Sequence, residues 1–154
     1  MRSASPDPGR RIRWEIDADG AGPVSQYLNM RMSHADGCAV AWLGGELDVA
    51  EAAESRAFLL TALDDGRGRL VVEVTGLTFI DASGLGVLVL VARKAAQDDG
   101  GWLRLVGASL LLRRILSIAR LSAFLPVYDT VHAAVAGAPA TAAPRPRPRQ
   151  GSDL

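Results

Sequence analysis

Between Arg69 and Gly107 the chain alternates two kinds of pattern, and this alternation restricts its fold more than any other feature. "RLVVEV" (69–74) is a short β-branched run with the composition of a buried strand, and "WLRLVG" (102–107) alternates like a strand. Between them, "GLGVLVLVARKAAQDDGG" (84–101) has no internal breaker, turns polar at Arg93 and Lys94, and closes on a glycine pair. A helix starting near Ser83 fits its length, although its valine content alone would also permit a strand. Upstream, Leu28, Met30 and Met32 alternate with Asn29 and Arg31, "HADG" supplies turn chemistry, and "CAVAWLGGEL" runs apolar to Gly44. That pattern predicts two antiparallel strands. In "DVAEAAESRAFLLTALDDG" (48–66), Asp48 and Glu51 stand at capping-box-like spacing before an Ala- and Leu-rich run, which predicts a helix of about four turns. From Ser109, "SLLLRRILSIARL" puts Leu112, Ile115, Leu116 and Ala119 on one helical face and Arg113, Ser117 and Arg120 on the other. "FLPVYD" reads as a short edge strand that tolerates Pro126, and "TVHAAVAG" as a closing helix. Strands separated by helices predict an α/β fold: a mixed central β-sheet, its antiparallel part supplied by the hairpin, with helices packed against it.

Both ends differ from this centre. Residues 1–26 are polar and punctuated by Gly and Pro, the composition of a flexible extension, yet "RIRWEID" (11–17) alternates Ile12, Trp14 and Ile16 with charged residues. An extra strand there stands as the alternative to a wholly flexible extension. From residue 137 onward, Arg145, Arg147 and Arg149 lie between prolines in a Pro- and Ala-rich stretch that predicts a disordered tail. One folded domain over 27–136 is expected.

The whole chain has 154 residues, 49% of them hydrophobic, and a formal charge of zero. It can bury a real core, and it lacks the basic footprint of a direct nucleic-acid binder. Cys38 is the only cysteine, which rules out an internal disulfide and a multi-cysteine metal site and suits a reducing compartment. The N-terminus has no apolar stretch of signal-peptide type, and no later run approaches the roughly 20 residues that span a bilayer. A cytoplasmic protein without membrane contact is expected. The residues call for no cofactor and no metal.

At "FIDASGLGVL" (79–88), a carboxylate, a hydroxyl and two glycines interrupt otherwise apolar sequence. Phosphate cradling is one reading, since a glycine-bearing turn before a helix offers free N–H groups. It fails in detail: Val89 stands where a dinucleotide fingerprint needs its third glycine, and the Lys of a P-loop is missing. A hydrolase elbow fails too, because Ser83 has Asp81 and Leu85 where that motif needs glycines. The only histidines, His34 and His132, fall in a predicted turn and a predicted closing helix, so no catalytic residue is assigned. Two readings remain. Ser83 either caps the helix, with Asp81 and the glycines making the turn, or is a phosphoacceptor exposed at a helix start. Chemistry alone favours the cap.

The wider pattern alters that balance. "GELD" (45–48), "FIDASGLGVL" about thirty residues later, then "RLVGAS" and "VYDT", resemble in order and spacing the STAS domain of bacterial anti-sigma factor antagonists. The resemblance implies a STAS fold and a non-enzymatic switch. In that family an anti-sigma factor that is also a serine kinase, of the GHKL type, phosphorylates the motif serine, here Ser83. The unphosphorylated form binds this partner and frees a sigma factor, and a phosphatase of the PP2C type resets the switch. By the same resemblance Asp48, Asp81, Ser83, Gly84, Leu85 and Gly86 line the partner-binding surface. A STAS scaffold, or a subunit of a larger regulatory or transport assembly without phosphorylation, is the alternative. Two positions depart from the family pattern. Ala82 replaces a frequent second serine, and Glu73 stands where the third strand commonly carries Asp. The resemblance leaves the oligomeric state open.

Overall fold

The computed structural model of the protein describes residues 28–137, so the strand considered over 11–17 and the Pro-Arg tail lie outside the described residues. Strands β1 (Leu28–Ala35) and β2 (Cys38–Leu47) form the expected hairpin. Its two turn residues, Asp36 and Gly37, both have positive φ, 48° and 84°, the backbone of a primed turn whose twist matches the strands it joins. Strands β3 (Arg69–Ile80), β4 (Trp102–Val106) and β5 (Val127–Tyr128) then pair in parallel, giving among the described residues a mixed five-stranded sheet in the order β1-β2-β3-β4-β5. Parallel neighbours need crossovers. These are helices α1 (Ala52–Asp65), α2 (Ala82–Ala96) and α3 (Leu110–Ile118), and α4 (Val131–Ala136) closes the domain.

The crossover helices share one face of the sheet. Phe58 and Leu59 of α1, Leu88 and Val91 of α2, and Leu112 and Leu116 of α3 join Leu43, Leu70, Val72 and Leu105 in a single buried cluster. On the opposite face Ala134 of α4 meets Val40, Val71, Val106 and Tyr128. β2 is covered on both sides, which is why its first half reads as an unbroken apolar run rather than an alternation. Cys38 belongs to the second cluster. Its Sγ donates to the Ala35 carbonyl at 3.0 Å, and burial, reinforced by the charge of Asp36, pushes the thiol pKa up, so it is a packing residue.

Three expectations need adjustment. β3 does not stop at Val74 but runs on to Ile80, paired with β2 alone after Glu73. Gly44 and Gly76 permit this extension: a side-chain carbon on Gly76 would sit 3.2 Å from the Gly44 Cα. The helix expected from Asp48 begins instead with a 3₁₀ turn, Val49–Glu51, before α1. α3 is shorter than its apolar periodicity, and Ala119, expected on the inner face, is an exposed C-cap.

Phe58 is fully buried at the centre of the larger cluster. Phe58→Ala is expected to cost about 3–5 kcal/mol, read as a lower urea midpoint with an unchanged slope.

Candidate functional site

Register builds the site. Leu47 is the parallel partner of Ile80, so the next residues, Asp48 and Asp81, emerge side by side at the C-terminal edge of the sheet. Asp48 accepts a hydrogen bond from Ala50 N at 3.0 Å and starts the 3₁₀ turn. Asp81 does more. Its Oδ1 accepts from Gly84 N at 2.9 Å, capping α2, while its Oδ2 accepts from Val49 N at 3.3 Å, on the neighbouring turn. The Asp81 N–H donates in turn to the Leu47 carbonyl at 3.3 Å. One residue therefore ties the starts of both helical segments together.

This arrangement settles the choice between cap and free hydroxyl. The cap of α2 is Asp81, and Ser83 is the second residue of the helix, partly exposed. Among the described residues nothing hydrogen-bonds its Oγ. The hydroxyl stands at the positive end of a 15-residue helix, where added negative charge is tolerated.

The two glycines have opposite reasons. A Cβ on Gly84 would lie 2.3 Å from the Leu47 carbonyl oxygen and 2.9 Å from Ile80 Cγ1, so only glycine lets α2 sit this close to the strand ends. A Cβ on Gly86 would meet nothing within 4 Å. Packing inside this domain does not require glycine there, and the missing side chain leaves open surface one turn from Ser83.

On one side of this turn lies a groove of about 440 Å³ between the start of α1 and α2, with Ser83 and Gly86 in its wall and Val49 at its rim. On the other side, Leu85 joins Ile80, Leu112 and Ile115 around a hollow of about 220 Å³. A neighbouring hollow of about 370 Å³ continues it past Phe79 and Leu111. The rims are apolar and solvent-facing: Val49 is 70% exposed, Phe79 49% and Leu111 68%. An uncapped hydroxyl flanked by two carboxylates and ringed by exposed apolar side chains has the make-up of a protein-docking surface.

The structure thus brings together all six residues expected at the site, Asp48, Asp81, Ser83, Gly84, Leu85 and Gly86. Of these, Gly84 is buried and acts through backbone spacing. Sequence reasoning missed Val49, Phe79 and Leu111. A signal for Leu111 was present, because three consecutive leucines at 110–112 cannot all face inward on one helix. Glu73 also gains a role: its carboxylate accepts from Thr75 N at 3.0 Å and Thr75 Oγ1 at 2.6 Å, securing β3 where the β4 ladder ends. His34 pairs with Asp65 at the opposite end of the hairpin, and His132 lies on α4, across the sheet, so neither serves Ser83.

Compared with known families, residues 29–134 match the STAS domain. The chain belongs to the STAS domain family. BtrV of Bordetella bronchiseptica, whose name places it among anti-sigma factor antagonists, is 32% identical over 120 residues, 77% of this chain and 100% of BtrV. Among solved structures, an anti-sigma factor antagonist from Mycobacterium paratuberculosis shares the STAS fold with a TM-score of 0.64 at 21% identity, covering 71% of this chain and 92% of that one. SpoIIAA, a Bacillus cell fate determinant solved in its phosphorylated form, gives 0.56 at 23%, covering 70% and 97%. The STAS fold is also one part of a larger membrane protein, the murine anion transporter Slc26a9 (0.54 at 17%), where the match covers 70% of this chain and only 18% of that one. Among the described residues of the present chain, no helix is long and apolar enough to cross a membrane.

The glycine pair gives a direct check on this geometry. Gly84→Ala should lower stability by about 1–3 kcal/mol through overpacking, whereas Gly86→Ala should raise it by up to about 1 kcal/mol through helix propensity. Chemical denaturation of the two variants would reveal the opposite signs.

Proposed function

We propose that this STAS domain is an anti-sigma factor antagonist that works as a cytoplasmic binding switch and not as an enzyme. In its unphosphorylated form it docks an anti-sigma factor that is also a GHKL-type serine kinase, and so frees a sigma factor. The kinase transfers a phosphoryl group from ATP to Ser83 Oγ and the complex ends; a PP2C-type phosphatase restores the hydroxyl. The observation that carries the proposal is the uncapped Ser83 hydroxyl on the first turn of α2, left accessible because Asp81 performs the capping. Support comes from the name of BtrV and from the existence of SpoIIAA in both unphosphorylated and phosphorylated forms.

The physical logic is a change of surface and not of fold. Phosphorylation adds about 1.5 to 2 negative charges at a helix N-terminus that tolerates them, so the domain stays intact. A partner seated over Ser83, Gly86 and Leu85 would have to desolvate that charge beside Asp48 and Asp81, whose carboxylates are already engaged by backbone N–H groups. The Leu85 hollow and the rim at Val49 and Phe79 supply the apolar area such a partner covers.

Calorimetric titration of the partner kinase tests the switch. Ser83→Ala should bind like the unphosphorylated chain, and Ser83→Asp should bind about a hundredfold more weakly, the equivalent of burying a poorly paired charge. Equal binding by the two variants would remove the switch and leave the STAS scaffold.

A further inference from the structure

The groove between α1 and α2 contains one charged side chain that the switch, as described, does not use. Its walls carry Ala52, Ala53 and Arg56 from α1, and Ser83, Gly86 and Leu90 from α2. Among the described residues Arg56 is the only charged one lining it, is exposed, and has no ion-pair partner. We propose that Arg56 is the phosphate-pairing residue of the switch, folding along the groove to hold the phosphate on Ser83. The proposal rests on the reading of Ser83 as the phosphoacceptor.

The geometry follows from the topology. α1 and α2 each leave a parallel strand and return to the next, so they run in the same direction, with their N-terminal ends at the same edge of the sheet. Arg56 lies four residues, just over one turn, beyond Ala52, a rise of about 6 Å. Helix side chains lean toward the N-terminus of their own helix, which turns the Arg56 stem back toward the end where Ser83 sits. Ala52 and Ala53 keep the α1 wall of the groove low, a Cβ on Gly86 would meet nothing within 4 Å, and Val49, Val87 and Leu90 complete the lining. A guanidinium presents a planar fork suited to phosphate oxygens, whereas the uncharged hydroxyl gives it no reason to settle.

The helix N-terminus tolerates the phosphate, and a cation in the groove would further offset the acidic groups near this end. Asp48 at the end of β2, Asp81 at the end of β3 and Glu51, buried on the 3₁₀ turn, are all acidic, and none can neutralise a phosphate. Arg56 is the cation within the groove. Pairing draws the phosphate against α1, favours its dianion at neutral pH, and leaves a folded off state in which the groove is filled.

The test needs no kinase. Phosphoserine is incorporated at position 83 of the full chain during translation, and the phosphate is titrated by ³¹P NMR in the native, Arg56→Gln and Arg56→Lys backgrounds, with circular dichroism confirming that each is folded. The native chain should show a second phosphate pKa lower than Arg56→Gln by about half a unit, the scale of an exposed ion pair. Arg56→Lys should fall between them, keeping the charge but losing the fork. Coincident curves for the native chain and Arg56→Gln would overturn the proposal. Failure of the switch reading would appear separately, as a chain that no partner kinase modifies while the Arg56-dependent titration persists.

Discussion

The parallel pairing of Leu47 with Ile80 sets the ends of β2 and β3 at one level, and the Asp81 carboxylate then binds the backbone of both segments that follow. Each capping bond is of the kind worth about 0.5–2 kcal/mol, but their joint effect is positional. They fix where α2 starts, and therefore which residue caps it. Had the cap moved two residues along, the Ser83 hydroxyl would have been consumed by its own backbone. The close approach at Gly84 belongs to the same device, since any side chain there would push α2 off the Leu47 carbonyl.

From that constraint the surface follows. A helix anchored by the residue before it can expose its first turn without fraying, so a partner or a modifying enzyme meets a preformed shape instead of a mobile loop. The two sides of the turn differ. Toward α3 the surface is apolar, built on Leu85, Leu112 and Phe79, and suits area-driven docking. Toward α1 it is a groove whose lining, among the described residues, includes one guanidinium, and it suits an anion. The proposed switch would need both kinds of neighbour, one that rewards binding while the serine is neutral and one that accommodates a phosphate once it is added.

Much of this was legible in the sequence. The hairpin, the three crossover helices and the mixed sheet follow from periodicity and turn chemistry, because buried strands and amphipathic helices leave period-two and period-3.6 traces. The adjacency of Asp48 and Asp81 was not legible from local pattern. It depends on a register between strands some thirty residues apart, and only the family resemblance pointed to it. Nor did the sequence show that β3 continues through Gly76, since the Gly44–Gly76 crossing is a property of two strands together. The choice of Asp81 over Ser83 as cap was hidden for a similar reason. Both residue types cap well, and only the folded chain shows that Asp81, not Ser83, accepts from Gly84 N while also accepting from Val49 N on the neighbouring turn. Leu110 and Leu111 show the reverse case, where a breach of amphipathic pattern was visible and marks exposed surface.

The most direct test of the account is the intact mass of the purified chain after incubation with ATP and its partner kinase, run beside Ser83→Ala. The account predicts one added phosphate on the native chain and none on the variant. An unmodified native chain, with a kinase shown to be active on its own known substrate, would contradict it and leave a STAS scaffold whose exposed serine has another purpose.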